Sequence, residues 1–480
     1  MKLKFLGHDE RYIVEQSLMT LFPLEKPTYD AVQPEDEAWC RLAAGETAAD
    51  CQVTAELHYH GYTAAGTFAS PLTGTDFEKE GQRRYAVAAC FYLAFLDLYP
   101  KLPEALRAAE KLTLPPWGML TGVRPDKPIT RALMEGKTPE EAKQELKTRY
   151  FVPEDRAALA LETGAVGYQA LKRLEKRDID LYVGIPFCPT RCAYCSFVSY
   201  TSKRLLSLIP DYLLRLCRDL RRTFDLIGRL GLNLRTVYIG GGTPTILNPD
   251  QLRLLLGTVA EMTDVSRLEE FTLEAGRPDT IDADKLAVAR SFGVGRVSVN
   301  PQILCDEVLH SIGRAHDTEM FFRAYEIARA SGIPVVNTDL IAGLPGDRFP
   351  TFSASFDQII RLRPENITVH TFCVKRSSDL RRGGGDIYSM RGGDTGKCVD
   401  YSQIQCIHEG YVPYYMYRQK NTVGNFENVG FALPGYEGLY NIYMMEEVHS
   451  IFAVGAGAVT KLVDYAPADG SARYINRLFN

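Results

Sequence analysis

The sequence predicts an α/β protein: a partial (βα)6 barrel with an α+β accessory domain before it and a small C-terminal domain after it. Three observations carry this. From Asp178 onward, short runs of strand formers alternate with helical patterns. The runs number about six, most of a parallel barrel but short of the eight that close one. The unusual residues gather just after strand ends, where folds of this kind carry chemistry.

A chain of 480 residues exceeds one small core, and the pattern divides it into four segments: 1–112 accessory, 113–178 a helical connector, 179–399 the barrel, and 400–480 a domain on the substrate side. The net charge of −5 gives no reason to expect nucleic acid or an anionic membrane as partner. The first residues, Met1-Lys-Leu-Lys-Phe-Leu-Gly-His-Asp, meet charge too early for a signal peptide. No stretch approaches the roughly 20 apolar residues of a membrane span. Eleven cysteines, three clustered and the others scattered, do not read as a disulfide framework. A reducing cytoplasm is the expected location.

In the accessory domain, Lys2 to Leu6 alternate as a strand and 11–21 reads as a helix. Val53-Thr-Ala-Glu-Leu-His-Tyr-His, turned by Gly61 into Tyr62 to Phe68, reads as a hairpin, with His58 and His60 on one face in packing or surface roles. A long helix over 83–98 ends at Pro100. The segment 114–128, around Trp117, is a turn or linker, and 129–176 is helical.

The expected barrel strands are 180–185, 236–239, 271–275, 296–302, 335–341 and 366–372, with helices over 205–230, 282–291 and 350–362 among those between them. The segment around Arg381-Arg-Gly-Gly-Gly-Asp and Arg391-Gly-Gly-Asp reads as a loop. A helix runs to His408, aromatic and Gly/Asn-rich sequence follows, and 476–480 reads as helix-like.

The first strand, Leu181-Tyr-Val-Gly-Ile, enters a loop that presents Cys188, Cys192 and Cys195. Three thiolates on one short loop can face a common point, and soft thiolates suit zinc, copper(I) or an iron–sulfur cluster. Structural zinc takes a fourth protein ligand, and the next cysteine, Cys217, falls in a predicted helix. Three ligands and one open iron fit a [4Fe–4S] cluster. The second strand ends in Gly240-Gly-Gly-Thr-Pro-Thr, where glycine lets backbone approach a ligand closely; the G-K-[ST] ending of a P-loop is missing. Glu274, Gln302, Arg314 and Asp339 lie at or just beyond other strand ends, where buried polar groups need partners.

The C-x3-C-x2-C spacing, with Tyr194 before the third cysteine, resembles the radical S-adenosylmethionine (SAM) enzymes. Tyr182, Ile185-Pro-Phe-Cys, Gly240-Gly-Gly-Thr-Pro-Thr, Glu274, Ser298, Gln302, Gly313-Arg-Ala-His316 and Asp339-Leu-Ile-Ala-Gly-Leu-Pro-Gly346 narrow the resemblance to the oxygen-independent coproporphyrinogen III oxidase family. Leu120-Thr-Gly-Val-Arg-Pro, Tyr417-Arg-Gln-Lys-Asn, Gly424-Asn-Phe-Glu-Asn-Val-Gly and Gly455-Ala-Gly-Ala look most like its HemZ branch, whose pattern runs on past residue 480.

The resemblance implies that Cys188, Cys192 and Cys195 hold a [4Fe–4S] cluster. It implies that Gly241, Gly242, Thr243, Glu274, Gln302, Arg314 and Asp339 position SAM, and that Tyr182 stands near the SAM sulfonium. Arg314 suits a carboxylate, Asp339 ribose hydroxyls, and Glu274 an ammonium or hydroxyl. The implied reaction removes hydrogen from a porphyrinogen propionate, then CO2 and one electron, leaving a vinyl group. Coproporphyrinogen III is the implied substrate, protoporphyrinogen IX the product, and a low-potential electron donor the partner. One departure bears on this. Decarboxylases of the family carry a further cysteine two residues after the third ligand, and here that residue is Phe197, as in the haem-chaperone branch. A haem chaperone, and an enzyme that modifies or opens haem, are therefore the alternatives. Arg418 and Lys420 are expected either to meet tetrapyrrole carboxylates or to serve as surface charge.

Overall fold

A computed structural model describes residues 1–33, 35–47, 49–120, 122–195, 199–373, 393–419, 422–463 and 475–479. The chain forms two compact units: Met1–Thr121 with Gln144–Ala157, and Gly122–Lys143 with Ala158–Asn480. The helical stretch 113–178 is thus shared between the two.

In the first unit, β1 (Lys2–Leu6), β2 (Ala38–Glu46), β3 (Asp50–Tyr59) and β4 (Tyr62–Pro71) form one sheet in that order. β1 and β2 are parallel and the other pairs antiparallel. Cys51, Val53, Ala55, Leu57 and Tyr59 of β3 are buried, whereas Gln52, Thr54 and Glu56 between them are exposed, the period of a half-covered sheet. Helices Arg11–Leu21 and Asp76–Leu98 cover the buried face. The second begins seven residues before the expected 83 because Thr75 and Glu78 cap it reciprocally. His60 and Gly61 both take positive φ, 47° and 84°, which makes a tight hairpin turn. His60 therefore stands in the turn between Glu37 and Glu110, while His58 stacks on Trp39. β2 lacks a β-branched residue and gave no strand signal; its ladders with β1 and β3 make it one.

In the second unit, β5 (Asp178–Ile185), β6 (Asn233–Gly241), β7 (Glu270–Leu273), β8 (Arg296–Ser298), β9 (Val335–Ala342) and β10 (Asn366–Thr371) lie side by side and parallel, the expected partial barrel. Antiparallel β11 (Val412–Tyr417) and β12 (Asn428–Ala432) extend the sheet beyond β10. β13 (Ser450–Val454), β14 (Val459–Val463) and β15 (Ile475–Phe479) extend it beyond β5. β15 corrects the helix-like reading of 476–480. So short a segment has no periodicity of its own, and the ladder from Val459↔Phe479 to Val463↔Ile475 fixes it as strand.

Helix Ile209–Leu230 buries Leu213, Leu216, Cys217, Leu220, Phe224 and Ile227, the stripe of a helix packed on a sheet, and ends where Gly231 turns left-handed at φ 61°. Helix Leu439–Glu446 packs on the side chains that the strands turn inward. Tyr440 stacks on Tyr238, centroids 4.4 Å apart, and the Leu439 amide donates to Glu270 at 2.7 Å. Glu270 in turn lies 3.5 Å from Arg296. No described helix is long and apolar enough to cross a membrane.

Candidate functional site

The cysteine loop leaves β5 at Ile185 and is tied back at three points. The Gly242 amide donates to the Ile185 carbonyl at 2.7 Å, the Thr243 amide to the Phe187 carbonyl at 2.8 Å, and the Ala193 amide to the Ile312 carbonyl at 3.0 Å. The Thr243 hydroxyl lies 3.2 Å from the Cys188 sulfur. A Cβ on Gly242 would fall 2.5 Å from the Phe187 carbonyl oxygen and 2.9 Å from the Cys188 sulfur. Gly241 has φ 112°, with the Ile185 oxygen 3.0 Å from where its Cβ would be. The glycines thus let β6 approach the cysteine loop itself, as well as edging the cavity.

That cavity, about 350 Å³, opens at the C-terminal ends of the strands. Cys188, Cys192 and Cys195 line it together with Gly241, Gly242, Thr243, Glu274, Gln302, Arg314 and Asp339. Ten of the eleven site residues expected from sequence therefore meet in one place. Tyr182 is the exception. Its ring stacks on Tyr238 (6.1 Å) and Tyr440 (6.4 Å), and it is Tyr238, one strand over, that reaches the cavity. The Tyr238 hydroxyl donates to Glu274 at 2.5 Å.

Burial pushes the Glu274 carboxyl up to about 7; the Tyr238 hydroxyl and the Gly241 amide pull it back, and Asp339 adds to the rise. Asp339 is the opposite case. Burial opposes its charge, but His370, Asn337 and Thr368 outweigh it and hold the carboxyl below its ordinary value. Asn300 and Asn337 each donate to one carboxylate oxygen at 2.7 Å, and His370 Nε2 stands 3.7 Å away. Gln302 takes φ 68°, a conformation that costs a non-glycine residue about 1–2 kcal/mol. β9 holds it there: the Gln302 amide donates to the Asp339 carbonyl at 3.0 Å, and the Ile341 amide to the Gln302 carbonyl at 2.9 Å. The Ser298 hydroxyl accepts from the Ala275 amide at 3.2 Å.

Sequence reading passed over Arg277, which ties the loop down from β7. Its guanidinium donates to the Thr190 carbonyl at 3.1 Å and hydroxyl at 2.9 Å, and to both Asp279 oxygens at 3.1 Å; it lies 3.7 Å from the Cys192 sulfur. An arginine after a strand-end glycine, two residues before an aspartate, was the available signal. Arg418 is not on the cavity wall. It is buried, donates to the Gly122 carbonyl at 3.0 Å, and burial lowers its pKa to about 10. Lys420 and Phe197 lie outside the described residues.

The donor set fits an iron–sulfur cluster bearing a small ligand. Burial is the main influence raising the Cys188 thiol, and the two other thiols push the same way, so a bound metal is what would make the set thiolate. Among the described residues no three His, Cys, Asp or Glu side chains converge on a single metal ion. A cluster takes one thiolate at each of several irons and asks for no such convergence. Arg314 Nε is buried with no hydrogen-bond partner in the described structure, beside the Gly276 carbonyl 3.4 Å from Nη1, and so leaves a donor for a carboxylate.

Residues 182–358 match the model of the radical SAM superfamily, which places the barrel and its cysteine loop in a class that uses a [4Fe–4S] cluster and SAM. The oxygen-independent coproporphyrinogen-III oxidase-like protein HemZ of Bacillus subtilis is 34% identical over 473 residues, 97% of this chain and 91% of that protein. The chain belongs to the HemZ family of radical SAM proteins. The haem chaperone HemW of Bacillus subtilis is 34% identical over 195 residues, 40% of this chain, which spans only 50% of the chaperone. The solved coproporphyrinogen III oxidase (HemN) from Escherichia coli is 23% identical, with a TM-score of 0.48, over 61% of this chain and 66% of that one.

Proposed function

We propose that the protein decarboxylates coproporphyrinogen III without oxygen, converting propionates to vinyl groups and giving protoporphyrinogen IX. The observation that carries this is the meeting of three thiols and a ring of strand-end polar groups in one cavity, in a member of the HemZ family. Cys188, Cys192 and Cys195 hold the cluster. Gly241, Gly242, Thr243, Glu274, Gln302, Arg314 and Asp339 position SAM, and Tyr182 supports that site through the Tyr238 ring. The cluster and SAM supply a carbon radical able to take hydrogen from the β-carbon of a propionate.

This chain's own part is positioning and exclusion of water. Glu274, ionised, accepts an ammonium. Arg314 offers its free Nε to a carboxylate. Arg277 and Thr243 fix the loop that carries the thiols. Residues 400–480 supply the wall on the substrate side through Tyr415, Tyr417 and Asn428. A low-potential donor provides the electron, and a reducing cytoplasm suits an oxygen-sensitive cluster held by free thiols.

The specific feature favouring a second reading, a chaperone that binds haem and delivers it, is Phe197 where decarboxylases have cysteine. An anaerobic assay separates the two. Reconstituted protein receives coproporphyrinogen III, SAM and a strong reductant, and tetrapyrroles and 5′-deoxyadenosine are quantified, with Cys192→Ala as control. Vinyl product from the wild type and none from Cys192→Ala is the expected result. SAM cleavage with no vinyl product overturns the decarboxylase.

A further inference from the structure

The geometry points to His370 and Tyr417 as the place where one carboxylate of a tetrapyrrole acid docks, which rests on the reading above and names its substrate contact. The cavity has two unlike ends. At the cysteine end, Arg277 and Arg314 are the only guanidiniums among the described lining residues, and there is no lysine. Arg277 is committed to Thr190 and Asp279, and Arg314 faces Gly276 and Tyr194. The contacts described for the two go to Thr190, Cys192, Asp279, Gly276 and Tyr194, and none goes to the wall made by β10, β11 and β12. A substrate with several carboxylates needs donors there too.

Among the described residues that line it, that wall has one side chain able to carry positive charge, His370 at the end of β10. Its ring lies between two fixed groups: Nε2 is 3.7 Å from Asp339 Oδ2, and Nδ1 is 3.3 Å from the Tyr417 hydroxyl. With Nε2–H directed at Asp339, Nδ1 accepts from Tyr417. With the ring protonated, Nδ1–H donates to the Tyr417 oxygen instead, and the phenol hydrogen is released toward a ligand. The phenol is then the donor turned to the cavity, backed by the ring's positive charge, and the ring is steadied by an anchored carboxylate.

Tyr417 is itself held in place. It runs parallel to Tyr415, centroids 6.4 Å apart with 11° between planes, and Tyr415 lies over Gly430 on the neighbouring strand. A Cβ on Gly430 would fall 2.0 Å from the Tyr415 ring. The strand glycine therefore makes room for one flat ring, and that ring aligns the second.

The test uses the full chain and two stable porphyrins, coproporphyrin III with four propionates and an alkyl porphyrin with none. Binding is followed by fluorescence for the wild type, Tyr417→Phe, His370→Gln and the double variant. Tyr417→Phe is expected to weaken the tetra-acid about 10-fold or more, the effect of losing a hydrogen bond to a charged group, and to leave the alkyl porphyrin unchanged. The double variant is expected to fall short of the sum of the single losses, because the two side chains act as one chain. Equal weakening of both porphyrins, or none of either, overturns the assignment. So does, with haem added in place of the two porphyrins, an iron spectrum that His370→Gln abolishes and Tyr417→Phe preserves, since His370 would then be an iron ligand. Turnover answers the other question. A Tyr417-dependent preference without vinyl product retains the carboxylate site and removes the decarboxylase; product with binding indifferent to both substitutions does the reverse.

Discussion

Arg277 Nη1 lies 3.1 Å from the Thr190 carbonyl and 3.7 Å from the Cys192 sulfur, while the same guanidinium grips both oxygens of Asp279. The loop that carries the thiols is therefore braced by the barrel before any cofactor enters. Bracing of this kind tunes metal affinity from behind the ligands.

Arg277→Lys keeps the charge but cannot serve Thr190 and Asp279 in one plane. Cluster affinity is expected to fall about 10- to 100-fold. Iron and sulfide per chain after gel filtration measure this, with the melting temperature reporting any general loss of fold.

Gly242→Ala puts a methyl 2.5 Å from the Phe187 oxygen and 2.9 Å from the Cys188 sulfur. The loop must shift, at a cost of about 1–3 kcal/mol. Denaturant unfolding is expected to register that loss, and iron content is expected to drop with it. Gly346→Ala, at another glycine with φ 81° but with no atom within 4 Å of its Cβ, is expected to cost backbone strain alone and to retain iron.

Glu274 titrates at about 7 against an ordinary 4.5. A raised carboxyl favours the protonated folded state. Without ligand, its contribution to stability is present below about 4.5 and is lost as pH rises through about 7. Chemical unfolding across that window is expected to show the decline, and Glu274→Gln to flatten it. Binding of an ammonium ligand needs the ionised form. SAM affinity is therefore expected to fall as pH drops below about 7, with proton release on binding, measured by calorimetry in buffers of different ionisation enthalpy.

His449 Nε2 stands 2.7 Å from Asp180 Oδ2, both side chains are fully buried, and the Thr236 hydroxyl donates to the other carboxylate oxygen at 2.6 Å. The pair joins the loop before β13 to β5. His449→Ala leaves a buried carboxyl without its main partner and is expected to cost about 3–5 kcal/mol. Thermal unfolding checks it. Because the pair lies away from the cavity lining, iron content is expected to follow stability and not to fall on its own.

The barrel was legible because its outward residues repeat. Leu181, Val183 and Ile185 of β5, and the Leu213–Ile227 stripe of helix Ile209–Leu230, are buried, and that burial imposes the period seen in the sequence. The site was legible at Cys188, Cys192 and Cys195 because a thiol triplet has few other uses. Arg277 was not, because an isolated arginine carries no period and its partner Thr190 stands on another loop, 87 residues away in the chain. Arg418 misled for the same reason: nothing local says that its guanidinium turns to the Gly122 carbonyl.

The sequence by itself determined the order of the strands along the chain, the placing of glycine, thiol and carboxyl at their ends, and membership of a radical SAM family, since each depends on spacing within a few residues. Only the tertiary structure decided which of these groups face one another. β15 became strand through its ladder with β14, Tyr182 was turned onto an aromatic stack, and His370 was set between Asp339 and Tyr417. Such contacts join residues far apart in the chain. They exist once the sheet has curved and the C-terminal strands have paired, so burial and geometry fix them where local propensity cannot.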